Sequence, residues 1–380
     1  MNHDWEKKRL DNVCSIKSGY TPSFDDLSSN GDFPYFKVAE MNLPGNEKYL
    51  INTPSYLSGN IKTFPANSIV FPKNGAAVST NKKRILQVDS VVDLNTAVMI
   101  ANQSVSVNYL YYILISIDFV NLVKRGAVPT LNISELKNTV VSVPPMHVQE
   151  QIVSELDKIN ELIAIKRSQL KDLDALAQSL FNETFSSIRE TVPLSFYVNA
   201  LVGGKSLASK EVSPNKVLKS GAVTYDYFDK NSTKYLPVDY TPDSEHSVST
   251  GDLIISRMNT AELVGACAYV FDVDDNVYLP DRLWRIEYKS NANPIYLWKS
   301  LISESAKWQI RSKASGTSGS MKNISKPLLL SINIKKVPIS IQQQFAERIE
   351  AIEAQKKRVE ASIADLETIL ASRMDYWFND

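Results

Sequence analysis

The chain is poor in the residues that build reactive or cross-linked sites. It has two cysteines in 380 residues, Cys14 and Cys267, one in each half. They make neither a disulfide framework nor a zinc cluster, which fits a reducing cytoplasm. The three histidines, His3, His147 and His246, are scattered. No apolar run approaches the roughly 18 residues of a membrane helix. The polar start, Met1-Asn2-His3-Asp4, does not read as a signal peptide. Net charge is also absent, with 42 basic residues against 42 acidic ones. There is no Gly-x-Ser-x-Gly elbow, no Gly-x-Gly cofactor loop and no Asp- or Asn-Pro-Pro-aromatic motif of an amino-methyltransferase. Nothing in the sequence looks able to run a reaction alone. At 43% hydrophobic and 22% charged residues it is ordinary globular material, long enough for two or three domains.

What the chain does have is two long helical stretches. In Val148 to Phe185, apolar residues recur at Ile152, Leu156, Ile159, Ile163, Leu170, Leu173, Ala177 and Leu180. Steps of three, four or seven mark a helix with one narrow apolar seam. In the last segment the seam is Ile341, Phe345, Ile349, Ile352, Val359, Ile363, Leu366, Leu370 and Met374. The two stretches align without a gap: Gln149 matches Gln342, Gln151 matches Gln344, Ile159 matches Ile352, and Phe185 matches Phe378. Both follow a Val-Pro, in Val143-Pro144-Pro145 and Val337-Pro338, and proline forbids extending a helix backward. Ser340 with Gln343 predicts a capping box at the second start.

The repeat extends into the intervening segments. Ser68-Ile69-Val70-Phe71 resembles Asp252-Leu253-Ile254-Ile255, Asn108 to Ile113 resembles Asn293 to Trp298, and Asn132-Ile133-Ser134 equals Asn323-Ile324-Ser325. Four segments follow: α/β domains over 1–147 and 186–340, and helices over 148–185 and 341–380. Their formal charges are +2, +4, −3 and −3 respectively, mildly basic domains and acidic rods. In the first domain Ser68–Phe71 and Val88–Met99 read as strands and Tyr109–Val123 as a helix. In the second, Val248–Ser256, Gly265–Val270 and Leu283–Tyr288 read as strands and Pro294–Ile310 as a helix. An antiparallel pairing of the rods would place a globular domain at each end, as a dumbbell with a pseudo-twofold. The fold class expected is thus α/β (α+β), with two similar domains separated by an antiparallel two-helix coiled coil.

Two motifs are weaker than they look. Gly203-Gly204-Lys205-Ser206 resembles a phosphate loop, but Asn199 stands where that motif needs glycine. Asp281 with Glu287 and Lys289 resembles a metal-dependent nuclease pattern, although the alternation along Leu283–Tyr288 reads more simply as a half-buried strand.

Two diverged α/β domains alternating with two similar long helices, each opened by Val-Pro and Gln-x-Gln, resemble the specificity subunit of type I restriction–modification systems. The resemblance covers essentially the whole chain. Its motif-level part is Val143-Pro-Pro-Met-His-Val-Gln-Glu-Gln-Ile and Val337-Pro-Ile-Ser-Ile-Gln-Gln-Gln-Phe. Met146, His147, Ile339-Ser340 and Gln343 depart from the usual Pro-Leu-Pro-Pro-Leu-x-Glu-Gln. The resemblance implies two target recognition domains, each reading one half of a split, asymmetric site in double-stranded DNA. It implies helices that fix the spacer and dock two modification (methyltransferase) subunits. Those partners would bring S-adenosylmethionine and methylate adenine at N6. A restriction subunit, where present, would add ATP- and Mg-dependent translocation and cleavage. No catalytic residue and no bound metal is expected of this chain.

On that reading, the DNA-contacting candidates of the first domain are Lys73, Asn74, Thr80, Asn81, Lys82, Lys83, Arg84, Lys124 and Arg125. Those of the second are Arg257, Asn259, Thr260, Arg282, Arg285, Lys313, Thr317 and Ser318. Arg and Lys address guanine and phosphate, and Asn addresses adenine. Gly19-Tyr20-Thr21 and Gly204-Lys205-Ser206 are secondary candidates. Two other readings stay open: a nuclease using Asp281, Glu287 and Lys289, and a coiled-coil scaffold that binds only proteins.

Overall fold

A computed structural model of the chain describes residues 5–124, 126, 128–318 and 321–379. It divides into two compact units, Met1–Ser168 with Glu360–Asp380, and Gln169–Val359. Each unit takes in a globular domain and parts of both long helices, so the division follows the hydrophobic cores rather than the four predicted segments.

In the first unit the main sheet orders its strands Cys14–Ser18, Thr96–Ala101, Ile69–Pro72, Arg84–Leu86 and Tyr49–Leu50. All neighbours are antiparallel except the last pair. Ile69, Val70 and Phe71 are fully buried, as a strand covered on both faces requires. A second sheet sets Phe33–Phe36 between Tyr56–Leu57 and, in parallel, Val91–Val92. The helix Val107–Ser116 is capped by the Ser106 side chain, which accepts from Tyr109 N–H. It buries Tyr109, Leu110, Tyr112, Ile113 and Leu114 in a core that Ile152 and Leu156 of one long helix enter. Leu370, Met374, Trp377 and Phe378 of the other long helix pack on the same core.

The second unit repeats this plan. Its sheet runs Val198–Gly203, Leu283–Tyr288, Leu253–Ser256, Cys267–Tyr269, antiparallel throughout. A smaller sheet sets Lys216–Leu218 between Thr233–Tyr235 and, again in parallel, Val277–Tyr278. The predicted helix Pro294–Ile310 is two helices, Pro294–Leu301 and Glu304–Lys313, because Ser303 caps a new start with its hydroxyl on Ala306 N–H. The predicted strand Val88–Met99 is likewise divided, into Val91–Val92 and Thr96–Ala101, by a turn in which Asp93 accepts from the Asn95 backbone and side chain. The helix predicted to run to Val123 stops at Ser116, and Asp118 caps a short 3₁₀ turn after it.

The long helices are Met146–Phe185 and Ile339–Phe378, 40 residues each. Both begin two residues earlier than the aligned sequences suggest. Pro145 and Pro338 offer their carbonyls to the first helical N–H groups. Ser340 therefore lies inside the first turn, and the capping box predicted there does not form. Within the first unit the helices pair antiparallel, with Arg373 on Glu155 and Arg167 on Glu367 at 2.7 Å. Within the second unit Lys356 meets Asp174 at 2.7 Å and Phe345 meets Phe185 with ring centroids 4.9 Å apart. Of the predicted seam residues, Ile152, Leu156, Ile163, Ala177, Phe345, Ile349, Ile352 and Val359 are buried, Ile159, Leu170, Leu173, Leu180, Ile363, Leu366, Leu370 and Met374 are half-buried, and Ile341 is exposed. No helix among the described residues is long and apolar enough to cross a membrane.

Candidate nucleic-acid interface

In the first unit the central strand Ile69–Pro72 runs out into Lys73 and Asn74. Lys73 N–H donates to the Asn95 carbonyl at 2.9 Å, and its own carbonyl accepts from Leu131 N–H at 2.8 Å. Asn74 bridges Thr130, and Gly75 N–H donates to Pro129 O at 2.8 Å. The loop after the strand is thereby bound on one side to the hairpin of Val123–Lys124 with Thr130–Leu131, and on the other to the turn at Asp93–Asn95. Gly19 abuts that same turn, since a Cβ there would lie 2.2 Å from Asp93 O. Thr21 donates to the Asp93 carboxylate at 2.9 Å and Tyr35 at 3.1 Å. Burial pushes the Asp93 carboxyl up, but the bonds from Asn95, Thr21 and Tyr35 outweigh it and hold the group below the usual range. Burial pushes the Lys73 amine down, opposed by Asp93, while its Nζ donates to Ser18 Oγ at 2.7 Å.

The second unit builds the same cluster from different side chains. Leu253–Ser256 runs into Arg257, whose N–H donates to Arg282 O and whose carbonyl accepts from Ile324 N–H, both at 3.0 Å. Met258–Asn259 pairs with Met321–Asn323, and that strand pairs with Ser315–Ser318. Gly204 abuts the turn, with its N–H on Pro280 O at 3.0 Å. Ser206 and Asp281 are hydrogen-bonded to each other. The Arg257 guanidinium lies 5.6 Å from the Trp284 ring centroid, and its buried Nε has no hydrogen-bond partner.

Of the predicted contacts, the structure brings Lys73, Asn74 and Lys124 together in the first unit, and Arg257, Asn259 and Arg282 in the second. Thr260 is exposed beside Asn259. Thr317 and Ser318 lie on the hairpin, where only their backbone is described, and Arg125 lies outside the described residues. Lys313 reaches Ser331 Oγ at 3.0 Å, the exposed Thr80 bonds Ala77 O at 2.6 Å, and Lys82 bonds Asn42.

Lys83 is a correction. It is 0% exposed, donates to Ile117 O at 3.0 Å and to Asn81, and burial pushes its amine down to about 7. It holds the fold and does not face a ligand. Asn81, in the left-handed region at φ 53°, accepts from Phe119 N–H at 3.0 Å. Arg84 donates to Lys83 O and Met41 O, at 2.8 and 3.1 Å. Arg285 donates to Ser247 O and Glu245 O, at 2.7 and 2.9 Å. These three side chains are taken up by the fold and leave the candidate surface with Lys83. A charged residue between apolar ones on a strand looks the same in sequence whether it meets solvent or an inner loop carbonyl.

The sequence reading missed Asn95 and Lys322. Asn95 is exposed in the turn behind Lys73, and Lys322 sits on the hairpin with Nζ on Gly316 O at 3.1 Å. Their signal is positional: Asn95 supplies the carbonyl that the Lys73 N–H meets, and Lys322 lies opposite Asn259 on the hairpin.

Asp281, Glu287 and Lys289 do not form one site. Five residues of largely extended chain lie between the two carboxylates, a span of up to about 20 Å. Lys289 Nζ is bonded to Ser195 O at 2.8 Å. Among the described residues no cluster of three or more His, Cys, Asp or Glu is placed to hold a metal ion.

Three comparisons bear on this arrangement. A curated relative, the type I restriction enzyme MjaIX specificity subunit of Methanocaldococcus jannaschii, is 23% identical over 183 residues, which are 46% of this chain and 42% of that protein. The match thus spans less than half the length of that relative. A crystal structure of the type I restriction–modification system S subunit from M. genitalium shares the fold with a TM-score of 0.59 at 15% identity, covering 100% of this chain and 97% of the other. A structure described as the basis of complex assembly and conformational transition of the type I R-M system gives 0.58 at 16% identity, covering 98% and 96%. The family model described as "Type I restriction modification DNA specificity domain" matches residues 2–175 and again 205–368. With the duplicated loop cluster and the paired seams in place, this match over most of the sequence shows that the chain belongs to the type I restriction–modification DNA specificity family.

Proposed function

We propose that this chain is the DNA-reading, non-catalytic subunit of a type I restriction–modification complex. Each globular domain reads one half of a bipartite, asymmetric site in duplex DNA. The helices set the unread spacer and dock two methyltransferase subunits for adenine-N6 methylation. S-adenosylmethionine belongs to those partners, and ATP with Mg to a restriction subunit where one is present.

One observation carries the reading. The same three-part loop cluster is built twice, with its backbone frame kept and its side chains changed: Lys73, Asn74 and Asn95 in one unit, Arg257, Met258 and Arg282 in the other. A frame that stays while its side chains vary is what reading two different sequences demands, since phosphate contacts position a reader and base contacts specify. A helix of 40 residues is about 60 Å long, ample for half-sites about 34 Å apart.

The test is single-molecule sequencing of DNA from cells that carry a matching methyltransferase subunit, with and without this chain. Methyladenine in one split motif, lost without the chain, is the expected result. Replacing residues 1–147 should then change one half of that motif only. A confirmed complex with no chain-dependent methylation would defeat the reading in favour of a protein-binding scaffold.

A further inference from the structure

Gln149 and Gln342 are each 0% exposed, one turn into long helices whose flanking residues are solvated. Burying a primary amide is costly unless its hydrogen bonds are met. Both amides meet them in the same way. Gln149 Oε1 accepts from Ser106 N–H at 2.8 Å, and its Nε2 donates to Ser104 O at 3.0 Å and Pro144 O at 2.9 Å. Gln342 Oε1 accepts from Asn293 N–H at 2.8 Å, and its Nε2 donates to Asn291 O at 3.1 Å and Val337 O at 2.8 Å. Ser106 and Asn293 are the N-caps of the helices Val107–Ser116 and Pro294–Leu301, which lie on the main sheets. Every partner of the two glutamines is a backbone group, so the bonds persist whatever side chains the globular domain carries.

A second repeated contact grips the same helices. Tyr109 donates to Ser142 O at 3.0 Å and lies 5.5 Å from the Phe378 ring. Tyr296 donates to Lys335 O at 2.5 Å and lies 5.2 Å from the Phe185 ring. In each unit the start of one long helix and the end of the other therefore hold one sheet-bound helix between them.

We infer that Gln149 and Gln342 are positioning residues that set the direction of each recognition surface relative to the long-helix axis, and thereby the spacer length the complex accepts. This rests on the function proposed above. One base pair more or less in a spacer moves a half-site by about 3.4 Å and turns it by roughly 35°. Only a stiff joint rejects such a displacement. A fully satisfied buried amide in a close-packed interior supplies that stiffness, because it has one geometry and no cheap alternative.

The test uses the full chain and its complex. Spin labels at Glu262→Cys and Glu347→Cys report the distance between the recognition loop and the long helix of the second unit; native Cys14 and Cys267 are buried and compete little. The variant is Gln342→Leu, similar in size and unable to hydrogen-bond. A core variant, Leu329→Ala, which leaves every hydrogen bond of Gln342 in place, controls for a general loss of stability. The expected result is a broadened distance distribution in Gln342→Leu only, with about a fivefold loss of discrimination between the native spacer and one a base pair longer. The same broadening and loss in Leu329→Ala would make the effect one of general stability and overturn the proposal. An unbroadened distribution overturns the joint, and broadening without loss of spacer discrimination overturns its role in reading. Wild-type complex that methylates no split site defeats the functional reading and the spacer role with it, while the distance measurement still decides the joint.

Discussion

The Lys83 amine nitrogen lies 4.0 Å from the centroid of the Phe119 ring, inside the first domain. Burial lowers its proton affinity, and Asp118 only partly restores it. Between about 7 and the ordinary lysine value the unfolded chain binds a proton that the folded chain does not. Stability must therefore rise with pH across that window, by up to about 1.4 kcal/mol per pH unit. Removing the amine with Lys83→Met should flatten that rise. Urea unfolding at pH 6.5 and pH 9.5 measures it, and equal slopes in the two proteins would refute the buried, neutral lysine.

Arg282 and Arg285 lie on one stretch of chain, Arg282 exposed and Arg285 bonded inward to two carbonyls. Arg285→Ala abandons two backbone carbonyls and should cost about 1–3 kcal/mol of stability. Arg282→Ala, exposed, should leave melting within about 0.5 kcal/mol of wild type. It should weaken DNA binding by the complex, lowering the salt slope by about one if the contact is to phosphate. Reversed outcomes would mean the assignments are exchanged.

Gly204 faces the Leu279 carbonyl so closely that an added Cβ would stand 1.9 Å from it. Gly204→Ala should force the turn open and cost about 1–3 kcal/mol. Because that turn supports Arg282, chain-dependent methylation should fall at one half-site read-out more than melting alone explains. Thermal melting and methylation assays on the same preparation check this.

Phe185 meets Phe181, Tyr296 and Phe345, all with centroids within 5.2 Å, and is 1% exposed. Phe185→Ala should cost about 3–5 kcal/mol. A loss under 1 kcal/mol would show that this end of the helix is not packed as described.

The seams were legible because helical burial is periodic, and Ile152, Leu156, Ile349 and Val359 fall where a single stripe requires. The repeat was legible too, but its register was only partly so. Ser68–Phe71 does correspond to Asp252–Ile255. Asn132 caps the helix Ile133–Asn138, however, and its counterpart is Ser325, ahead of Lys326–Leu330, not the identical Asn323. Likewise the cap matching Asn293 is Ser106, not Asn108. Ser106 and Asn293 both cap through their side chains, so there the role survived a change of letter, whereas Ser325 holds the cap position without a side-chain bond. The candidate surface was legible only as polar connections between strands, which place Lys73 and Arg257 just beyond Ile69–Pro72 and Leu253–Ser256. Lys83 and Arg285 misled because a charge can be satisfied inward by loop carbonyls that no local pattern reveals.

The first unit closes its core with Leu370, Met374, Trp377 and Phe378, while the second is a single continuous stretch, Gln169–Val359. On a ribosome the second unit can complete its core as soon as its own residues emerge. The first, though begun earlier, must wait with an open apolar wall until the end of the second long helix has been made. A nascent chain therefore finishes its domains in the reverse of the order in which it starts them, and a message cut short near residue 360 would leave the earlier domain as the exposed, aggregation-prone one.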